Sequence, residues 1–273
     1  MRNLREKTIL ITGAGRGIGK RLAFGFAQAG AQLGLLARSK AELDLLALEI
    51  EHLGGSALRL RADVRNFDQV AEAAERLRIS FGSIHALVCA AGVQGPIGPV
   101  AGTPPEAWAE TLAVNVVGAY HACRAVLPQM IERRSGKIIL LSGGGAESPR
   151  PNFAAYAASK AALARFAETL AEEVRDANIQ VNCLAPGGAY TSMTDEILKA
   201  PVEAGEREAE EAARIRATGG VAPEKQIQLA LFLLSERANH ISGKLIGVTD
   251  DWRKLEHANL SPELYTLRRL QRP

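Results

Sequence analysis

Thr12-Gly-Ala-Gly-Arg-Gly-Ile-Gly19 decides the fold. An apolar run over residues 7–12 leads into it, and an amphipathic pattern over residues 18–29 leads out. A strand that turns through glycines into a helix has a specific use. Glycine tolerates positive φ and lets the backbone approach a ligand closely. The helix that follows offers free N–H groups and the positive end of its dipole to phosphate. A glycine-rich turn alone is weak evidence. Here the flanking strand and helix turn it into a pyrophosphate-binding βα unit.

The same alternation continues outward. Residues 32–37, 57–62, 84–89, 137–141, 179–184 and 245–248 are short runs rich in Val, Ile and Leu without strict alternation. Such runs fit strands covered on both faces. Helical patterns fill the intervals at 40–53, 68–78, 105–133, 152–176 and 223–235. Strand alternating with helix predicts βαβ units joined by right-handed crossovers. The expected fold is α/β: a single doubly wound domain with a seven-stranded, mostly parallel sheet and helices on both faces. It covers residues 1–251, and residues 252–273 form a C-terminal extension without strand character. Thr103-Pro-Pro-Glu106 has the form of a capping box. Asn66 and Asn152 are candidate N-caps, and Gly30 and Gly54 candidate helix-closing residues. The charged stretch over residues 203–216 reads as a helical, solvated flap.

Composition narrows the function classes. With 47% apolar residues and 23% charged, a core of full size is expected. A formal charge of +3, dispersed along the chain, argues against nucleic acid and membrane partners. No stretch reaches the roughly eighteen apolar residues of a membrane span. The apolar N-terminal stretch is too short for a secretory signal. Cys89, Cys123 and Cys183 each sit in apolar surroundings. They are expected to be buried thiols in a reducing compartment, with no disulfide and no metal site. The cytoplasm is the expected location.

The spacing T-G-x-x-x-G-x-G, with Gly13, Gly17 and Gly19, departs from the common G-x-G-x-x-G turn because Ile18 stands where its last glycine would. It resembles the short-chain dehydrogenase/reductase family, and the resemblance extends over nearly the whole chain. Asp63-Val64 matches the family's adenine-side acidic position. Cys89-Ala-Ala91-Gly92 stands where the family has Asn-Asn-Ala-Gly. Asn115 matches the helix asparagine, Tyr156-Ala-Ala-Ser-Lys160 the Y-x-x-x-K motif, and Pro186-Gly187 with Thr191 the segment that holds the nicotinamide. The resemblance implies an oxidoreductase that moves a hydride between a nicotinamide and a carbonyl or secondary alcohol. Cofactor contacts are then expected from Gly13, Arg16, Gly17, Ile18, Gly19, Arg38, Asp63, Val64, Ala91, Gly92, Tyr156, Lys160, Pro186, Gly187 and Thr191. It also implies a homotetramer or homodimer, because the long helices carrying Asn115 and Tyr156 commonly pack across subunits in the family.

Two details refine this. In Rossmann-type sites an acidic residue ending the second strand binds the ribose hydroxyls of NAD. Here Ala37 is followed by Arg38. A guanidinium there pairs with a 2′-phosphate, and Arg16 is a second cation. NADP(H) is therefore expected over NAD(H), unless both arginines are simply solvated. The catalytic set is expected to be Tyr156, Lys160, Asn115 and a serine. Tyrosine, with an ordinary pKa of about 10, needs a nearby cation to act as a base. Lys160, four residues on, shares its helix face. The resemblance gives Asn115 a water-mediated relay to Lys160; a capped or solvent-facing amide is the alternative.

The family serine aligns with Gly143, and Ser142 lies one residue too early. Three readings are open. The Gly143–Gly145 loop bulges and Ser142 takes the role, or backbone N–H groups or water replace the hydroxyl, or carbonyl chemistry is weakened or lost. The last leaves a rival function: an NADP-binding regulatory or scaffold protein. Expected pocket walls are residues 93–100, 144–155 and 191–220, which carry Gln94, Glu147, Arg150 and Asn152. Arg150 is either a receptor for an anionic or sugar-like group or a solvated side chain. The extension either reaches a partner subunit or covers a pocket.

Overall fold

The computed structural model describes residues 4–268. Seven strands form one parallel sheet: β1 (Thr8–Thr12), β2 (Gln32–Ala37), β3 (Ser56–Arg61), β4 (Ile84–Cys89), β5 (Gly136–Leu141), β6 (Ile179–Ala185) and β7 (Leu245–Gly247). Their order is β3-β2-β1-β4-β5-β6-β7. The chain starts in the middle, winds to one edge, returns and winds to the other. The order reverses between β1 and β4, and the C-terminal ends of these two strands flank the crevice where ligands bind in such sheets.

The inner strands are buried because helices cover both faces. On one face α1 (Gly17–Gln28), α2 (Lys40–His52) and α10 (Pro223–Leu234) pack on Ile9, Ile11, Leu33 and Leu35. On the other α3 (Phe67–Phe81), α5 (Gly118–Arg133) and α6 (Ala154–Glu173) pack on Leu10, Leu36, Leu87 and Ile138. Alternate residues of β1 thus enter opposite cores, as the period of a strand requires. Cys89, Cys123 and Cys183 are buried free thiols, and burial pushes the Cys183 thiol up to about 12. No helix among the described residues is long and apolar enough to cross a membrane.

Several local expectations need correction. The pattern over 105–133 is helical throughout, but α4 (Pro105–Leu112) and α5 are joined by a π-turn over Ala113–Val117. Thr103 does not cap α4. Its hydroxyl donates to the Val100 carbonyl, and Pro104 holds the cap position with no side-chain bond. Asn152 does not cap α6 either: it takes φ 67° and its amide donates to the Ala204 carbonyl. Asn66 does cap α3, through Gln69 N–H. Three helices complete the flap: α7 (Ser192–Lys199), α8 (Pro201–Ala204) and α9 (Glu206–Thr218).

The described residues of the extension pack on the domain and do not line the cavity. Trp252 stacks on Phe232 with ring centroids 5.2 Å apart. The segment then runs beside β7, where Leu245 N–H donates to the Tyr265 carbonyl at 2.7 Å. Its last residues, 269–273, lie outside the described part.

Candidate active site

One cavity of about 1000 Å³ opens at the C-terminal ends of the strands. Each residue expected to hold a cofactor lines it except Gly19, and Ser142 lines it too. Asn115 stands behind the wall.

The glycine turn has three different physical reasons for its glycines. Gly13 and Gly17 have φ of 65° and 57°, a conformation that side chains disfavour. A Cβ on Gly13 would also meet the Ala91 backbone at 2.5 Å. Gly19 is helical, but its Cβ would fall 2.2 Å from the Gly13 carbonyl oxygen. It lets α1 start close against the turn, so its role is packing. Thr191 lies opposite the turn, its methyl 3.4 Å from a Cβ placed on Gly17.

At the outer end of the cavity Arg16 and Arg38 are exposed, and neither forms an ion pair among the described residues. Asp63 is less free. The hydrogen-bonded Arg65 guanidinium holds its carboxyl below the ordinary range. Glu42 is an addition the sequence did not announce. It packs against Gly15, its carboxylate 2.6 Å from the position of an added Cβ, and it lines the same end of the cavity.

At the inner end Tyr156 is 9% exposed and Lys160 5%. They share a face of α6, with the Lys160 ammonium 5.3 Å from the Tyr156 ring centroid. Lys160 Nζ donates to the Leu141 carbonyl at 2.8 Å, which leaves two of its three donors for other groups. Burial pulls Lys160 down to about 8, against the pull of nearby Cys183. Burial raises the Tyr156 phenol, with Arg150 acting in the opposite direction. At neutral pH the phenol thus keeps its proton and the ammonium beside it most of its charge.

Asn115 lies within the π-turn and is 1% exposed, so the solvent-facing alternative is excluded. Its amide makes three hydrogen bonds. Oδ1 accepts from Val93 N–H at 2.8 Å, and Nδ2 donates to the Val93 carbonyl at 3.0 Å and to Ser159 Oγ at 2.9 Å. A π-turn widens the helix by one residue and is common at functional sites. Here it carries the side chain that fixes the strand-end loop after β4. A Cβ on Gly92 in that loop would lie 3.4 Å from Asn115 Oδ1 and 3.8 Å from Lys160 Nζ.

Position 143 faces the Tyr156 hydroxyl, while Ser142 Oγ is buried with no hydrogen-bond partner. Arg150 is not a solvated side chain. It is 15% exposed, donates through Nε and Nη2 to Glu208 of α9, and lies 4.0 Å over the Phe153 ring and 5.4 Å over the Tyr156 ring. Glu208 had no sequence signal, and neither had Gln226. The Gln226 side chain, wholly buried, donates to the Pro186 carbonyl at 2.9 Å and accepts from Arg21. No cluster of His, Cys, Asp and Glu suited to a metal occurs among the described residues.

Comparison with known proteins agrees with this geometry. A short chain dehydrogenase family model matches residues 7–201. The chain is 35% identical over 245 residues to the 3-oxoacyl-[acyl-carrier-protein] reductase of Thermotoga maritima, covering 90% of this chain and 97% of that one. It is 30% identical over 249 residues to the 7alpha-hydroxysteroid dehydrogenase of Escherichia coli, covering 90% and 95%. Among solved structures, a gluconate 5-dehydrogenase from Burkholderia cenocepacia in complex with NADP and tartrate superposes with a TM-score of 0.80 at 29% identity, covering 90% of this chain and 94% of that one. The fold, the ordered motifs and these matches together place the chain in the short-chain dehydrogenase/reductase family of oxidoreductases.

Proposed function

We propose that the protein is an NADP(H)-dependent oxidoreductase acting between a carbonyl and a secondary alcohol, with Tyr156 as the general acid and base. The observation that carries this reading is the single cavity that joins the glycine turn to Tyr156 and Lys160. The residues present fit the cofactor. The turn leaves backbone N–H groups of α1 open to a pyrophosphate, and Gly92, Pro186 and Gly187 line the inner end. Arg16 and Arg38, neither of them in an ion pair among the described residues, support a 2′-phosphate, while Glu42, Asp63 near Arg38 and Glu196 near Arg16 oppose it.

When bound, the nicotinamide supplies or takes the hydride. The chain supplies the rest. Tyr156 donates its phenolic proton to the substrate oxygen in reduction, and the raised pKa keeps that proton in place until it is needed. Lys160 holds positive charge beside the phenol and stabilises the phenolate that remains. Asn115 positions the Gly92–Val93 backbone. Ser142, whose buried hydroxyl has no protein partner, is assigned to the substrate oxygen. The substrate is a small molecule, the assembly a homotetramer or homodimer, and the location cytoplasmic, in keeping with the three free thiols.

The glycine at position 143 favours a second reading, an NADP-binding regulator with little turnover. NADPH consumption on a panel of ketones, aldehydes and keto-sugars, with Tyr156→Phe beside the wild type, separates the two. Turnover abolished by that change supports the enzyme; tight NADPH binding without turnover in either protein supports the regulator. Comparable kcat/KM for NADH and NADPH would sink the cofactor preference. A fall of only a few-fold in kcat for Ser142→Ala would remove Ser142 from the catalytic set.

A further inference from the structure

Among the described residues, three buried side-chain polar atoms lack a hydrogen-bond partner: Gln94 Nε2, Ser142 Oγ and Arg133 Nη1. Gln94 and Ser142 belong to residues that line the cavity. Arg133 is at the opposite end of the sheet, where its other terminal nitrogen donates to the Ile84 carbonyl at the start of β4. Buried polar groups without partners are rare and costly to leave. Their concentration at the reacting end of one cavity marks places for oxygen atoms of a ligand.

Ser142 is already assigned to the reacting oxygen, which leaves Gln94. Its backbone is fixed from both sides. The Asn115 amide grips Val93 through N–H and carbonyl alike. Gly95 follows at φ 73°, packed so tightly that a Cβ there would lie 2.2 Å from Thr111 Oγ1. The residue as a whole is 2% exposed. Gly92, two residues earlier, packs beside Lys160 Nζ. Two residues span at most about 7 Å, so the Gln94 backbone stands within that reach of Gly92 on the wall of the same cavity.

Charges of both signs line this part of the cavity: Glu147, Glu206, Glu208 and Glu211 with Arg150 and Arg207, of which Arg150 is spent on Glu208 and Glu211 pairs with Arg214. A carboxamide can turn either its N–H or its carbonyl toward a ligand, and a hydroxyl can answer both.

We infer that Gln94 is a specificity-determining residue that binds a hydroxyl on the carbon next to the reacting carbonyl, so that the substrates are α-hydroxy ketones and, in reverse, 1,2-diols. The inference rests on the proposed oxidoreductase reading and adds the substrate class. A site built to pair with a substrate hydroxyl discriminates strongly against analogues without it.

The test uses matched pairs, acetoin against 2-butanone and 2-hydroxycyclohexanone against cyclohexanone, with NADPH. Wild type, Gln94→Leu and Gln94→Glu are compared. The expected kcat/KM ratio favours the hydroxy ketone by at least about tenfold in wild type. Gln94→Glu, which accepts but lacks the unpartnered donor, weakens the preference, and Gln94→Leu loses it with unchanged affinity for NADPH. Equal rates within each pair, or a preference that survives in Gln94→Leu, overturns the inference while leaving the oxidoreductase intact; either result would mean that a fixed water satisfies the amide. If neither pair is turned over, calorimetry of 1,2-cyclohexanediol against cyclohexanol on the NADP+-loaded protein reads the same ratio. Tighter binding of the diol in wild type alone supports Gln94 even where the oxidoreductase reading fails. Equal affinities, or no binding of the diol, overturns it.

Discussion

The Tyr156 hydroxyl occupies space that a side chain at position 143 would need: a Cβ on Gly143 would lie 2.7 Å from it. The tyrosine has little room to yield, because Arg150 and Lys160 lie against its ring and it is 9% exposed. Gly143→Ala is therefore expected to push the hydroxyl out of line. A displacement of about 1 Å at a reacting group costs on the order of a hundredfold in rate. Steady-state kinetics should show that loss in kcat, with NADPH affinity within about twofold of wild type. An unchanged kcat would show that the phenol is free to shift.

The two buried groups on α6 set the pH response. Lys160 titrates near 8, below its ordinary value, and the Tyr156 phenol above its own. Carbonyl reduction needs the phenol protonated and the ammonium charged. Its kcat/KM should be flat below the Lys160 value and fall as pH rises through about 8. A profile flat to pH 10 would refute the assignment of that limb to Lys160.

Stability follows the same shift with a definite sign. Folded Lys160 gives up its proton near 8, while the unfolded side chain keeps it to its ordinary value of 10.5. Between those values the unfolded state binds more protons, so the destabilisation by buried Lys160 shrinks as pH rises. Lys160→Met should be inactive yet more heat-stable than wild type at pH 7, and the gap should narrow between pH 8 and 10. A gap that widens over that window would contradict burial as the cause. The Leu141 carbonyl loses its donor in the variant, which lessens the gain.

The sheet was legible because buried strands leave a simple trace: apolar runs at 32–37, 84–89 and 137–141 correspond closely to β2, β4 and β5. The motif residues were legible because each chemistry needs one residue type at one place. Residues that act on other residues left no such trace. Asn115 stood out, but the π-turn around it has no distinctive composition. Thr103 and Asn152 had the right types for caps, yet tertiary contacts claimed their side chains for the Val100 and Ala204 carbonyls. Gln226 and Glu208 looked like ordinary polar helix positions. Their partners, Pro186 and Arg150, lie 40 and 58 residues away in sequence.

Gln226 ties α1 to the segment at Pro186. Its amide holds the Pro186 carbonyl, and its oxygen accepts from Arg21 of α1. Gln226→Leu leaves the Pro186 carbonyl and an Arg21 donor without that partner, at a cost of about 1 to 3 kcal/mol in stability. The expected kinetic result is a raised KM for NADPH with kcat largely kept, because the chemical groups on α6 are untouched. Unchanged KM with lowered thermal stability would reduce Gln226 to a purely structural role.

The extension is held by one buried cation. Lys244, 7% exposed, donates to the carbonyls of Ser261, Pro262 and Leu264 at 2.9, 3.0 and 2.9 Å. Nearby, Arg165 donates to the Leu267 carbonyl and Arg268 pairs with Glu168. The Lys244 ammonium thus takes all three of its hydrogen bonds from a segment that the remainder of the domain does not need for its sheet order. Deleting residues 259–273 would remove the three carbonyls and open the ammonium to water, with Glu168 and Glu172 still nearby. Exchanging such charge-assisted hydrogen bonds for water costs about 1.5 to 3 kcal/mol, which corresponds to a fall in Tm of roughly 5 °C for a chain of this size. Lys244→Met in the full chain strands the three carbonyls and destabilises, whereas in the shortened chain, where those carbonyls are gone, the same substitution should cost little. The described tail residues do not line the cavity, so NADPH affinity should be unchanged in the shortened chain. Calorimetric melting of the four proteins decides the matter: additive effects of the deletion and the substitution would show that Lys244 does not hold the tail.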